Sequence, residues 1–235
     1  MKSFLFCTSY LPDDAADNPA IRWERWLDYY KARQSLFSVD RLFVIDDGSR
    51  PEQLTFSAEI VDADRPLPST HPPGVVLFRF ARHLGRSSVY CFPGWWRSFC
   101  YSLSIAEHYS CDKIIHIESD AFVISSQIAK YIGQLATGWT SFWCGRYHRP
   151  ESAIQVICRD AFALLEPYRR SGLSFWDSTV SAERCLPFTL VNKDFVGDRY
   201  GEYLSQIPSM ADYSAQTHLA LRLPDDNPGQ ERRSA

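Results

Sequence analysis

Short runs of consecutive apolar residues, each closed by a polar turn, alternate in the first half of the chain with stretches whose apolar residues recur every three to four positions. The runs suit strands covered on both faces, and the recurring stretches suit helices with one apolar stripe. Phe4 to Cys7 is the first run, and Thr8-Ser9-Tyr10-Leu11-Pro12 carries the chain out of the sheet. Asn18-Pro19 predicts a helix start, because Asn caps and Pro suits the first turn. Trp23, Trp26, Leu27 and Tyr30 then share one face, with Arg22, Arg25, Asp28 and Lys31 elsewhere. Leu42 to Ile45 reads as a second strand running into Asp46-Asp47-Gly48-Ser49, a turn sequence. After a Pro-rich loop from Pro66 to Pro73, Val75 to Phe80 reads as a third strand. Trp96, Phe99, Cys100, Leu103 and Ala106 mark a helix, and Lys113 to Ile117 is a fourth strand ending in Glu118-Ser119-Asp120. This order predicts an α/β chain with a doubly wound, mostly parallel central sheet and helices on both faces.

The second half is less regular. Ser141 to Cys144 and Ile154 to Cys158 read as strands, Asp160 to Tyr168 as a helix, and Ala211 to Leu221 as one more, after a loop-rich stretch to Ile207. Residues 224–235 read as a solvated, flexible tail with nothing to bury. A chain of 235 residues suits one domain over residues 1–223, divided into halves at 1–125 and 126–223.

Composition changes this picture in three respects. Aromatics make up 14% of the chain, enough to fill a core and still line a cleft. The formal net charge of -3 gives no global field for nucleic acid, yet Arg65 to Ala106 contains no Asp or Glu where the chain average predicts about five, and it holds Arg65, Arg79, Arg82, Arg86 and Arg97. Such a stretch suits an anionic ligand. Seven scattered cysteines point to buried thiols in a reducing compartment, and no apolar run reaches membrane-spanning length, so the expected location is cytoplasmic, with any membrane-bound acceptor approached from its inner, aqueous face.

Two acidic signals end two predicted strands, and parallel strands would bring Asp46-Asp47 and Glu118-Ser119-Asp120 to one rim of the sheet, where open α/β sheets bind ligands. Carboxylates one residue apart can share a hard cation whose other positions go to phosphate oxygens and water. The same triplet also suits a plain helix cap. The strand ending in Asp46-Asp47-Gly48-Ser49, the Arg-bearing helix and the strand closing in Glu118-Ser119-Asp120 together resemble the nucleotide-sugar glycosyltransferases of the GT-A fold, whose acidic triplet is written DxD. The resemblance covers roughly the first 125 residues and is one of pattern.

That resemblance implies a nucleotide diphosphate sugar donor, with UDP as the nucleotide, and a divalent metal, Mn²⁺ or Mg²⁺. It implies that Thr8, Ser9, Tyr10 and Asp46 or Asp47 hold base and ribose, that Glu118 and Ser119 lie near the sugar or ribose, and that Asp120 holds the metal, with Glu118 and a returning His218 as further ligands. Glu118 stands where the family more often has Asp, so Asp120 is the firmer ligand. His83-Leu84-Gly85 and Arg97 correspond to the family's asparagine-x-glycine turn and helix arginine. Arg97 could pair with a phosphate or with an acid of the site. Lys193 and Arg199 could close over the diphosphate on a Gly197 hinge, or be a plain polar loop.

An inverting transfer needs a carboxylate base facing the acceptor, and Glu183 is preferred to Asp177, though either also reads as a capping or ion-paired acid. Trp176 is the candidate for stacking on the acceptor. The expected acceptor is a glycan or glycolipid of surface polysaccharide or lipopolysaccharide biosynthesis. A sugar-1-phosphate nucleotidyltransferase lacks its Gly-rich loop after the first strand here, and a non-catalytic nucleotide- or glycan-binding module would use the same cleft without metal.

Overall fold

A computed structural model describes residues 2–12, 19–50, 52, 58–70, 74–218, 221 and 223. Eight strands form the central sheet: β1 (Ser3–Ser9), β2 (Arg41–Asp46), β3 (Glu59–Asp62), β4 (Val76–Arg79), β5 (Lys113–Ile117), β7 (Trp139–Cys144), β8 (Arg149–Cys158) and β9 (Leu190–Asn192). Their spatial order is β3-β4-β2-β1-β5-β8-β7-β9. The five strands from β3 to β5 are parallel, β8 runs antiparallel to both its neighbours, and β9 is parallel to β7. A small second sheet joins β10 (Gly197–Asp198), β11 (Tyr213–Ser214) and β6 (Phe122–Val123).

Strand alternation builds a core on each face. Leu5, Cys7, Leu42, Val44, Ile115 and Ile117 point into one, which α1 (Pro19–Lys31) closes with Trp23, Trp26 and Leu27, and α3 (Ser126–Gln134) with Ile128 and Ile132. Phe4, Phe6, Phe43, Ile45 and Ile114 point into the other, covered by Trp96, Phe99 and Leu103 of α2 (Pro93–His108) and by Leu165 of α4 (Phe162–Ser171). Runs buried on both faces therefore become central strands, and singly striped helices cover them. The chain is the doubly wound, mostly parallel α/β structure that its pattern predicts.

Three features depart from the expectation. Strand β3 precedes the predicted third strand, and its burial is confined to Val61, so as an edge strand it leaves almost no apolar run. Helix α3 falls where no helix was predicted; it is capped by Ser125, whose Oγ accepts from the Ile128 amide at 3.4 Å. The predicted helix from Ala211 to Leu221 does not form over its described residues. Tyr213 and Ser214 instead pair with β10 and β6, and the buried Tyr213 hydroxyl donates to the Trp143 carbonyl at 2.5 Å. Cross-strand partners override the helical spacing there. Asn18, residues 71–73 of the Pro-rich loop and the tail at 224–235 lie outside the described residues.

Two short helices, α5 (Leu173–Trp176) and α6 (Ala182–Cys185), follow α4. All seven cysteines are free thiols and six are buried. Among the described residues no helix is long and apolar enough to cross a membrane.

Candidate active site

The carboxyl ends of β1, β2 and β5 open on a cleft of about 930 Å³ lined by Thr8, Ser9, Tyr10, Asp47, His83 and His218, among others. A second cavity of about 280 Å³ lies on the side of β8 and contains Glu118, Asp120, Glu151, Glu183 and Arg199. Arg22, Phe92, Trp95 and Ser119 line both, so the two meet at the Glu118-Ser119-Asp120 triplet. The two acidic strand ends do converge on one rim.

The two neighbouring aspartates of β2 do different work. Asp46 is fully buried and turned back on its own turn: Oδ1 accepts from the amides of Gly48 at 3.0 Å and Ser49 at 2.7 Å, and Oδ2 from the Ser49 hydroxyl at 2.6 Å. Burial pushes its carboxyl up to about 6 despite these bonds. It lines neither cavity, so the reading of Asp46 as a ribose or base ligand is corrected to a turn-forming role. Asp47 lies in the larger cleft and gathers the loop opposite. Its Oδ2 accepts from the amides of Leu84 at 3.2 Å and Gly85 at 2.8 Å, and His83 Nδ1 lies 2.9 Å from it. Stacked on His83, at 3.6 Å between ring centroids, is Tyr10.

Arg97 is held by Asp47 Oδ1 and by the Arg82 carbonyl at 2.5 Å, with its guanidinium 3.9 Å over the Phe80 ring. Of the two partners open to it from sequence, the acid of the site has it, and Arg97 lines neither cavity. Gly94 at the start of α2 is what lets Asp47 sit there: a Cβ at this position would lie 2.0 Å from Asp47 Oδ2. Because four groups fix that carboxylate, it cannot swing clear at low cost. Gly94→Ala is expected to destabilise the chain by about 1–3 kcal/mol, an overpacking penalty, as read by urea denaturation. The first turn of α2 has no acid and no side-chain cap, so its partial positive charge is available to an anion in the cleft, which Gly94 and Trp95 line.

Glu118 is fixed by three neighbours. Thr8 Oγ1 donates to Oε2 at 2.9 Å, Trp95 Nε1 donates to Oε1, and His116 Nε2 lies 3.5 Å from Oε1. Burial, followed by the charge of Asp120, pushes its carboxyl up to about 8. Burial takes His116 down to about 3, so that ring is neutral and adds no positive charge. Asp120 is also raised by burial; its nearest cation is Arg22 at 3.9 Å, and its carbonyl accepts from the Thr217 amide at 2.8 Å. His218 is exposed in the larger cleft. Among the described residues no three His, Cys, Asp or Glu side chains are gathered tightly enough to hold a metal unaided, so Glu118, Asp120 and His218 are not a ready-made triad.

In the smaller cavity, Arg199 donates to Glu151 Oε2 at 2.8 Å and Oε1 at 3.0 Å, and to Glu183 Oε1 at 2.8 Å. Its fork is filled by carboxylates and is not free to close over a diphosphate, which corrects that reading. Gly197 is no hinge: it lies in β10, where a Cβ would meet the Tyr213 ring at 2.1 Å. Lys193 is exposed, 4.4 Å over the Trp143 ring, and lines neither cavity. Asp177 is exposed and accepts from the Ser87 hydroxyl, outside both cavities, so the Glu183 alternative is the one the site retains. Trp176 donates to the Tyr168 carbonyl at 2.9 Å in the core beneath α2 and does not reach the site; Trp95 and Trp96 line the smaller cavity instead. Burial acts to raise Glu183 but is outweighed by its own backbone amide, Arg199, Arg149 and Ser152, so it lies below the usual carboxylate range and is ionised.

Glu151 and Ser152 carry no sequence signal. They reach the cavity because the β7–β8 register slips between Ser141, opposite Gln155, and Phe142, opposite Glu151. The bulge turns Glu151, Ser152 and Ala153 into the site, and a slip of this kind is set by the partner strand.

The crystal structure of a glycosyltransferase involved in glycosylation of the major capsid of PBCV-1 superposes with a TM-score of 0.53 over 92% of this chain and 92% of that one, at 10% identity. Protein Aq1419 from Aquifex aeolicus VF5 gives a TM-score of 0.45 at 9% identity, over 82% of this chain and 85% of that one. No protein-family model matches the sequence, and no curated protein matches it.

Proposed function

We propose that this chain transfers a sugar from a nucleotide diphosphate donor, UDP being the nucleotide, to a hydroxyl of a glycan or glycolipid acceptor in surface polysaccharide biosynthesis. The observation that carries the reading is the position of Glu118-Ser119-Asp120 where a nucleotide-sized cleft meets a sugar-sized one. The donor set suits a divalent cation: two carboxylates one residue apart, each raised by burial, with Asp120 no closer than 3.9 Å to its salt-bridge partner Arg22. Asp120 would hold the ion, with Glu118 beside it and donor phosphates and water completing the shell; bound there, Mn²⁺ or Mg²⁺ offsets charge on a departing diphosphate.

The residues of the chain do the rest. Thr8, Ser9 and Tyr10 line the nucleotide cleft, and the first turn of α2 favours the phosphates. Glu183 takes the acceptor proton as the acceptor oxygen bonds to the anomeric carbon and the bond from that carbon to the diphosphate breaks. Titration calorimetry with UDP tests the reading. Binding that tightens at least tenfold with Mn²⁺ is expected, together with slow metal-dependent hydrolysis of a UDP-sugar; tight binding indifferent to metal and without turnover would leave a plain binding module.

A further inference from the structure

The smaller cavity has a composition that the transfer reaction by itself does not require. Its lining carries Glu118, Asp120, Glu151 and Glu183 against Arg22 and Arg199; with Glu118 pushed up to about 8 and uncharged at neutral pH, three acids still face two arginines. Arg199 is saturated by Glu151 and Glu183, so it presents no open fork to an incoming anion. Behind this wall Glu202, 3.6 Å from Arg199, and Arg149, whose charge reaches Glu183, offset each other. A divalent ion and a donor diphosphate bring opposite charges of equal size, so an occupied donor cleft leaves the balance negative. Polar capacity remains for hydroxyl groups: Ser181 lines the cavity, and its buried hydroxyl has no hydrogen-bond partner. Trp95 and Trp96 add apolar wall.

At about 280 Å³ the cavity falls just under the range of roughly 300–1,000 Å³ of small-molecule pockets, which is room for one ring and not for an oligosaccharide. We infer that this cavity is the acceptor subsite, that it takes a single sugar ring that is uncharged or carries an ammonium group, and that it turns away rings bearing carboxylate or phosphate. The inference rests on the transferase reading for the word acceptor; the sugar selectivity follows from the cavity itself. Rejection comes from the surplus of fixed acids, since discrimination between rings of like shape needs a repulsive element.

The test is equilibrium binding to the metal-free full-length protein, by ligand-observed NMR titration with methyl glucoside, the methyl glycoside of glucosamine and methyl glucuronide. The first two are expected to bind at least tenfold more tightly than the glucuronide. Glu183→Gln, which removes one acid from the wall, is expected to narrow that gap several-fold, and Glu151→Gln serves as the second variant should the first be poorly folded. Equal or tighter binding of the glucuronide, no binding of any of the three at 50 mM (about the weakest affinity such a site would give), or a gap unmoved in folded variants would overturn the inference. UDP binding measured in parallel separates the two ideas. Metal-dependent UDP binding without sugar selectivity sinks the subsite alone, and selectivity without UDP binding sinks the transferase reading and leaves a sugar site.

Discussion

Asp120→Ala is expected to cut metal-dependent release of nucleotide from a nucleotide diphosphate sugar by roughly 10²- to 10³-fold, because several kcal/mol of charge stabilisation are lost with the ion. The fold should not suffer. The one salt bridge of the Asp120 carboxylate among the described residues is the long one to Arg22 at 3.9 Å, and the structural bond at this position, from the Thr217 amide, goes to the main-chain carbonyl that alanine keeps. Its charge also raises Glu118, so removing it relieves repulsion between buried carboxylates. A melting temperature equal to or slightly above that of the parent, with turnover lost and UDP affinity no longer responsive to Mn²⁺, is the predicted combination. Unchanged turnover would mean that the triplet holds no catalytic ion.

What the sequence made legible here was whatever depends on short stretches. Doubly buried strands such as Phe4 to Cys7 and Leu42 to Ile45, and the striped helix containing Trp23, Trp26 and Leu27, announce themselves by period alone. The placement of Asp47 and of Glu118-Ser119-Asp120 follows from their standing at the ends of parallel strands. Local pattern does not distinguish two adjacent aspartates, one of which closes a turn while the other faces the cleft; that depends on the Ser49 hydroxyl and the loop at Leu84 and Gly85. Nor does it foresee Glu151, delivered by a register slip, or the role of Arg22, which its helix places on the polar face and the topology places over both cavities. From sequence Arg199 and Lys193 suit a phosphate, and Arg97 suits a phosphate or an acid of the site. Whether an arginine is already spent on a buried acid is a tertiary fact, and for two of these three it decides the role.

Arg199→Met is expected to be the most destabilising single change at the site. Glu151 is fully buried and the Glu183 side chain is 9% exposed; both depend on one guanidinium. Removing one partner from a buried ion network costs about 3–5 kcal/mol, because the stranded charges stay out of water. For a chain of this length that lowers the melting temperature by about 10 °C. The sign with pH is fixed. Burial already raises Glu151 with Arg199 in place and would raise it further without that guanidinium, so the variant keeps its stability where Glu151 is protonated and loses it as pH rises through that value. Melts at pH 5 and pH 8 should therefore show a deficit that widens at the higher pH, and Arg199→Met combined with Glu151→Gln and Glu183→Gln should recover much of it. Arg199→Lys should recover little, since a single ammonium cannot span both oxygens of Glu151 and reach Glu183. A deficit independent of pH would assign the loss to packing around the Arg199 side chain and remove the electrostatic reason for treating this residue as the support of the acceptor wall.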